Sequence, residues 1–229
     1  QVHGTEGEEK DNNLLLLELL TPIVKTYASE QGSRSASLAI QTLGGYGFTT
    51  DFPVQQLYRD LKIMSLYEGT TGIQSMDLLG RKVVLQNGKA VKLLILSITN
   101  TMQEASAYEQ LIPYAKKLGQ ELQRMSKVLE HLSGYAVKGD LERYLSDATV
   151  FMEMAGHIVI AWQWLKMSVV AAKKISQSDF QSNNQSFYEG KIHTMEFFFK
   201  YELPHAEACA TTLEDQHTLT SIKNFELFN

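Results

Sequence analysis

The chain has 229 residues, of which 44% are apolar and 21% are charged, and its net charge is -5 with acidic and basic residues interspersed. That apolar content is enough for a hydrophobic core, and without a basic field a nucleic-acid partner is not expected. Cys209 is the only cysteine, which excludes an internal disulfide and a thiolate metal cluster and suits a reducing cytoplasm. The most apolar stretch, residues 158–172, contains Gln163 and Lys166 and is too short for a membrane span.

Apolar residues recur at helical spacing through most of the chain, which predicts an all-α protein built as an up-and-down helical bundle followed by a second one. Residues 1–13 are polar and rich in Gly and Glu, so they resemble a solvated connector, and we expect a fragment of a longer protein. The first helix is predicted over residues 14–43, with Leu16, Leu20 and Leu38 on its buried side.

Two shorter helices are predicted before the first domain boundary. The first carries Val54 to Met64 and ends before Glu68. The second begins at a capping box formed by Thr71 and Gln74, and it stops at Asn87-Gly88. We therefore assign residues 14–88 to one helical domain.

Beyond this boundary the chain is predicted to form a second helical bundle over residues 89–204, because the connections between its helical runs are short. Pro204 is expected to end its last helix, and residues 205–229 are expected to be a tail. The predicted helical runs cover residues 90–102, 107–132, 141–175 and 180–201.

Glu68 lies in a glycine-flanked turn, Tyr67-Glu68-Gly69-Thr70-Thr71-Gly72. A carboxylate placed there feels the dipole of the following helix, which favours its charge, and any apolar burial, which disfavours it. Such a group can serve as a base for a weakly acidic C–H, while Gly69 lets a flat ligand approach and Thr70 offers a hydroxyl. Alternatively, Glu68 simply complements the helix dipole.

The segment Gln41-x-x-Gly44-Gly45-x-Gly47 also allows two interpretations. It is a helix stop with a tight turn, or it is a backbone surface that contacts a phosphate-bearing ligand. It is not a dinucleotide-binding fingerprint, because that motif needs a βαβ unit and no strand is predicted here.

Taken together, residues 39–82 resemble the acyl-CoA dehydrogenases, whose C-terminal helical domain carries a Gln-x-x-Gly-Gly-x-Gly segment, an Arg-Asp pair and a Tyr-Glu-Gly-Thr turn in this order. The Arg-Asp pair here is Arg59-Asp60. Two positions depart from the usual pattern, since Ser75 stands where many members have Arg and Gly72 replaces a polar residue. These departures and the second bundle look like the longer bacterial subgroup that includes enzymes acting on methylmercaptopropionyl-CoA.

The resemblance implies that the complete protein oxidises an acyl-CoA thioester. Glu68 would remove the α-proton while the β-hydrogen leaves as hydride to flavin N5, and Tyr67 and Gly69 would line the thioester site. In the family, the backbone N–H of that glutamate also helps to hold the thioester carbonyl. The fragment alone is expected to be inactive, because the domains that supply much of the site are missing.

The same resemblance implies FAD as cofactor. Gln41, Gly44 and Gly45 would contact the FAD of a neighbouring subunit, and Thr70 would contact FAD near the flavin ring. A homodimer or homotetramer and an electron-transfer flavoprotein as acceptor follow from the family.

Other functions remain open at this point. One is a non-catalytic, dehydrogenase-like binding protein of the alkylation-response type, and another is an acyl-CoA oxidase. Glu153 with His157, and Glu189 with His193 and Glu196, have spacings that allow a metal site. Paired or solvated charges explain the same spacings, so no metal is expected.

Overall fold

A computed structural model describes residues 2–177, 184–217, 219–221 and 226, and within these residues the protein is helical and has no strand, which confirms the all-α prediction. The chain forms two compact units, Gln1–Ala90 and Val91–Asn229, which are described separately. The helices are α1 (Gly7–Leu43), α2 (Gly45–Phe48), α3 (Val54–Met64), α4 (Thr71–Asp77), α5 (Lys89–Ala105), α6 (Ile112–Val137), α7 (Leu141–Leu145), α8 (Ala148–Ile175), α9 (Gln185–Phe197) and α10 (Pro204–Glu214), with π-helical turns at Leu78–Lys82 and Phe198–Glu202 and 3-10 turns at Val2–Gly4 and Glu109–Leu111.

Helix α1 organises the first unit and begins earlier than predicted, inside the segment expected to be a connector. Its first turn contains Glu8 and Glu9, whose charges complement the helix dipole. The buried leucines are Leu15 and Leu19, not Leu16 and Leu20, and Leu38 is 58% exposed. The predicted buried face of α1 is wrong because four consecutive leucines, Leu14–Leu17, fit any helical face.

Two glycines shape the end of α1, as the sequence suggested. Gly44 follows the last helical residue and has φ of +59°, a conformation that glycine adopts without steric cost. Gly47 packs against the helix so closely that a Cβ there would lie 2.4 Å from the Ile40 carbonyl oxygen. Gly45 differs from both, since a Cβ at that position would have no neighbour within 4 Å.

Helix α3 packs against α1, yet none of its residues is buried within the first unit. Leu57 and Ile63 are each more than half exposed. The predicted break at Asn87-Gly88 is present as a turn in which Gln86, Asn87 and Gly88 all have positive φ, but the helical residues before it already end at Lys82. The helix before that stop is shorter than predicted, since α4 passes into a π-helical turn at Leu78.

The second unit is built around α8, which has buried residues on all sides and packs against α6, α9 and α10. Its Trp162 is buried and donates a hydrogen bond from Nε1 to Thr101 Oγ1 of α5, at 2.8 Å. The predicted helix over residues 141–175 is divided into α7 and α8, and the break lies at Ser146 and Asp147. The start of the predicted run over residues 180–201 lies outside the described residues.

The helical run before Pro204 ends at Glu202, as predicted, but Pro204 also starts a further helix, α10, that was not predicted. Proline is well tolerated in the first helical turn, because the N–H that it lacks has no partner there. Ala206, Ala210 and Leu213 are buried at helical spacing, so part of the predicted tail belongs to the core of the second unit.

Charged residues join α10 to α6. Arg124 pairs with Glu214 at 3.0 Å, and Lys117 lies 3.8 Å from Glu207. Glu121 is buried between these pairs. Burial, together with the charge and the hydrogen bond of Glu207, raises the pKa of Glu121 from its ordinary 4.5 to about 7.

This raised pKa predicts a stability that depends on pH. Between pH 4.5 and about 7 the folded state holds a proton on Glu121 that the unfolded state has released, so the free energy of unfolding falls as the pH rises through this range. Above about pH 7 Glu121 is ionised in both states, so its titration no longer changes the free energy of unfolding. Glu121→Gln should flatten this dependence and raise the free energy of unfolding at pH 8 by about 1–2 kcal/mol, a value reduced for solvent screening.

Urea denaturation from pH 5 to pH 8 measures this effect. Glu130→Gln, an exposed position on the same helix, is the matched control and should keep the wild-type pH dependence. A Glu121→Gln variant with the same pH slope as the wild type would disprove the assigned cause.

Candidate functional site

The turn that carries Glu68 joins α3 to α4 and has an unusual backbone. Glu68 has φ of +55° and Gly69 has φ of +85°, so two consecutive residues are left-handed. Glycine adopts this conformation freely, whereas for a glutamate it costs on the order of 1–3 kcal/mol and persists only where other contacts hold it. Glu68 is one of three described non-glycine residues with positive φ, and the other two lie in the Asn87 turn.

Two side chains hold this backbone through its carbonyl groups. Lys25 of α1 donates from Nζ to the Gly69 carbonyl oxygen at 2.5 Å, and Gln74 of α4 donates from Nε2 to the Glu68 carbonyl oxygen at 2.7 Å. The first of these is a charge-assisted hydrogen bond from a half-buried lysine. The conformation of Glu68 is therefore fixed from both neighbouring helices.

The start of α4 also differs from the predicted capping box. The N-cap residue is Thr70, whose Oγ1 accepts from the Ile73 backbone N–H at 3.4 Å. Thr71 lies inside the helix and donates from its hydroxyl to the Glu30 carboxylate of α1. Gln74 is engaged with Glu68, so it is not available to complete the capping box.

A cavity of about 330 Å³ opens beside this turn, and both Tyr67 and Glu68 line it. Its other walls come from one face of α1 and from the end of α3. The Tyr67 hydroxyl donates to Met64 Sδ at 3.0 Å, which holds the ring at the cavity. One acidic and one basic residue thus line the cavity together with apolar ones. The lining residues are Lys25, Ala28, Ser29, Leu61, Met64, Tyr67 and Glu68.

The residues expected to contact FAD fall into two separate places. Thr70 is two residues from Glu68, in the same turn. Gln41 follows Lys25 by sixteen residues on α1, which places it about 24 Å farther along the helix axis. Gly44 and Gly45 lie just beyond it. One flavin ring is too small to contact both groups.

Sequence reasoning missed Lys25 and Glu30 as parts of this site. They precede their partners Gly69 and Thr71 by more than 40 residues, so no local spacing indicates the contacts. In the sequence, both are ordinary charged residues of an amphipathic helix.

The described residues contain no group of three His, Cys, Asp or Glu side chains arranged to hold a metal ion. His193 and Glu196, weighed as ligands, are 3.8 Å apart. Among the described helices, none combines the length and the apolar character that crossing a bilayer requires.

The left-handed turn yields a stability prediction. At Gly69 an added Cβ would meet Gln74 Nε2 at 3.0 Å, and the backbone has positive φ, so Gly69→Ala should lower the free energy of unfolding by about 1–2 kcal/mol. Gly72→Ala is the matched control, because that glycine lies in α4 with open space around it. It should be neutral or stabilising by roughly 0.5 kcal/mol. Urea denaturation measures both, and equal effects would contradict the strained-turn interpretation.

Known proteins resemble the chain over most of its length. Residues 3–83 match the family described as acyl-CoA dehydrogenase, C-terminal domain, and residues 94–221 match acetyl-CoA dehydrogenase C-terminal like. The second match alone covers more than half of the chain. These two ranges fall on either side of the division between the compact units.

Individual relatives agree with this assignment. A broad-specificity linear acyl-CoA dehydrogenase of Mycobacterium tuberculosis is 32% identical over 89% of this chain and 33% of its own length. The 3-methylmercaptopropionyl-CoA dehydrogenase of Ruegeria pomeroyi is 32% identical over 93% of this chain and 35% of its own length. The chain therefore spans about a third of the length of these curated relatives. It belongs to the acyl-CoA dehydrogenase family.

Proposed function

We propose that this chain is the C-terminal part of an FAD-dependent acyl-CoA dehydrogenase, in which Glu68 removes the α-proton of an acyl-CoA thioester. The observation that carries the proposal is the left-handed conformation of Glu68, held by Lys25 and Gln74 at the edge of a cavity. Backbone strain of this kind clusters at functional sites. Complementing a helix dipole would not require it.

The cavity supplies what a carbon base needs. Leu61 and Met64 provide apolar surface next to the Glu68 carboxylate, and a bound thioester would exclude water from the remaining space. Proton abstraction requires a base within hydrogen-bond reach of the C–H, and a fixed turn limits the positions that the carboxylate can take. Tyr67 lines the same cavity and would contact the acyl thioester together with Gly69.

The backbone of Glu68 supports a second role. Within the described chain, no group accepts a hydrogen bond from the Glu68 N–H. A thioester carbonyl oxygen bound there would gain a donor, which stabilises the negative charge that develops on this oxygen when the α-proton leaves. We therefore propose that Glu68 supplies both the carboxylate that removes the α-proton and the N–H that binds the thioester carbonyl oxygen.

Several observations support FAD as the cofactor. Family members are FAD flavoproteins. Gln41 is exposed, Gly45 has open space around its Cα, and the Thr70 oxygen accepts from Ile73, which leaves its hydroxyl hydrogen to be donated. Neutral donors and open backbone of this kind fit the hydrogen-bonding groups of FAD. When bound, FAD accepts the β-hydrogen as hydride.

The same positions support an oligomer. Because Gln41, Gly44 and Gly45 lie about 24 Å along α1 from the level of Glu68, we assign them to the FAD of a neighbouring subunit in a homodimer or homotetramer. Thr70 would contact the FAD beside its own Glu68. The proposal also includes an electron-transfer flavoprotein as acceptor and a cytoplasmic location. The helical extension predicted over residues 89–204 would include α10 as well. The curated relatives are dehydrogenases, so the binding-protein and oxidase alternatives are not favoured.

Glu68→Gln in the complete dehydrogenase tests the base directly. The amide keeps the size of the side chain but cannot take a proton, so flavin bleaching by acyl-CoA should slow by roughly 10²–10⁴-fold. Stopped-flow flavin absorbance gives this rate. Glu9→Gln, in the first turn of α1, is the control and should bleach at the wild-type rate. Near wild-type bleaching by Glu68→Gln would refute the assignment.

A further inference from the structure

A second cavity, in the second unit, gathers cationic and hydrogen-bonding groups. It measures about 350 Å³ and lies where the end of α6 meets α7. We call it the basic pocket. No Asp or Glu is among its described lining residues. Its lining residues are His131, Gly134, Tyr135, Lys138, Arg143 and Gln216.

The aromatic ring of Tyr135 contacts two basic residues of this pocket, Arg143 and His131. The Arg143 guanidinium carbon lies 4.2 Å from the centroid of the Tyr135 ring, in cation–π geometry. His131 stands at the edge of the same ring, and its Nε2 is 3.3 Å from the Tyr135 hydroxyl oxygen. Because Arg143 is stacked and half-buried, it would lose less conformational freedom on binding an anion than a free surface arginine.

These cations form no ion pair with the acidic residues that lie near them in the described chain. Among the described residues, neither Arg143 nor Lys138 has an ion-pair partner. The nearest acidic residues in the chain are bonded elsewhere. Asp140 accepts from the Arg143 backbone N–H at 3.2 Å, and Glu142 and Asp147 accept from Ser221 and Thr220.

The carbonyl groups of Tyr135 and Ala136, at the end of α6, accept hydrogen bonds from the backbone and not from these cationic side chains. The Tyr135 carbonyl oxygen accepts from the backbone N–H groups of Lys138 and Asp140, at 3.1 and 3.0 Å. The Ala136 carbonyl oxygen accepts from Gly139 at 3.0 Å. Backbone donors thus cap two of the C-terminal carbonyls, and no hydrogen bond from the Lys138 or Arg143 side chain to these carbonyls is present in the described chain.

We propose that the basic pocket binds the phosphate group of a phosphorylated small molecule. A guanidinium group presents paired donors that match two phosphate oxygens, and a lysine adds a compact positive charge. His131, the Tyr135 hydroxyl and the Gln216 amide supply further hydrogen bonds. The cavity is larger than a phosphate ion, so it also leaves room for the organic part of the ligand. The proposal does not rest on the function proposed for Glu68.

Titration of the 229-residue chain with inorganic phosphate at constant ionic strength tests the proposal. The His131 ring signals and the backbone amide signals around Tyr135 are followed by NMR. In the wild type, the changes in these signals should saturate as the phosphate concentration rises. Arg143→Lys keeps the charge but loses the paired donors, so it should bind phosphate about tenfold more weakly, and Arg143→Gln should weaken binding further.

Lys138→Gln and Lys127→Gln form the matched pair. Both remove one positive charge from an exposed position, Lys127 in the middle of α6 and Lys138 just after its end, but only Lys138 lines the pocket. Lys138→Gln should weaken phosphate binding severalfold, and Lys127→Gln should not. Circular dichroism checks that each variant is folded, and because Lys138 is exposed, its replacement should not disturb the fold. A wild-type response that does not saturate, or equal binding by Lys138→Gln and Lys127→Gln, would overturn the proposal.

Discussion

The hydrogen bond from Lys25 to the Gly69 carbonyl oxygen is the contact on which the site depends. It joins the long helix α1 to a turn 44 residues away, and it fixes two consecutive left-handed residues together with the bond from Gln74 to Glu68. Without these contacts a glutamate would leave this conformation at a gain of on the order of 1–3 kcal/mol. The position of the carboxylate is thus a consequence of tertiary packing.

Much of the fold could be predicted from hydrophobic periodicity, since helices dominate both units and most breaks fall near glycines. The errors have local causes. The run Leu14–Leu17 fits any helical face, so it could not give the phase of α1, and Pro204 can end a helix or begin one. Only the burial of the residues after Pro204 shows that a helix begins there, and this burial arises from packing in the second unit.

In the candidate site, the central residue could be predicted from the sequence, but the side chains that hold it could not. The order of the glycine segment, the Arg-Asp pair and the Tyr-Glu-Gly-Thr turn was enough to single out Glu68. Its partners were not predictable, because Lys25 and Glu30 meet the turn only when α1 packs against it. Arg143 and Tyr135 come together in the same way, across the junction of two helices. In the first unit the sequence indicated the reactive residue, whereas in the second the pocket around Arg143 became apparent only from the fold.

The central claim is that this turn presents the Glu68 carboxylate to the α-carbon of an acyl thioester. A crystal structure of the complete dehydrogenase with FAD and a non-reactive acyl-CoA analogue measures that relation directly. The account predicts a Glu68 carboxylate oxygen about 3–3.5 Å from the α-carbon of the analogue, with Glu68 still left-handed and Lys25 still bonded to Gly69. An analogue bound with its α-carbon beyond the reach of Glu68 would contradict it.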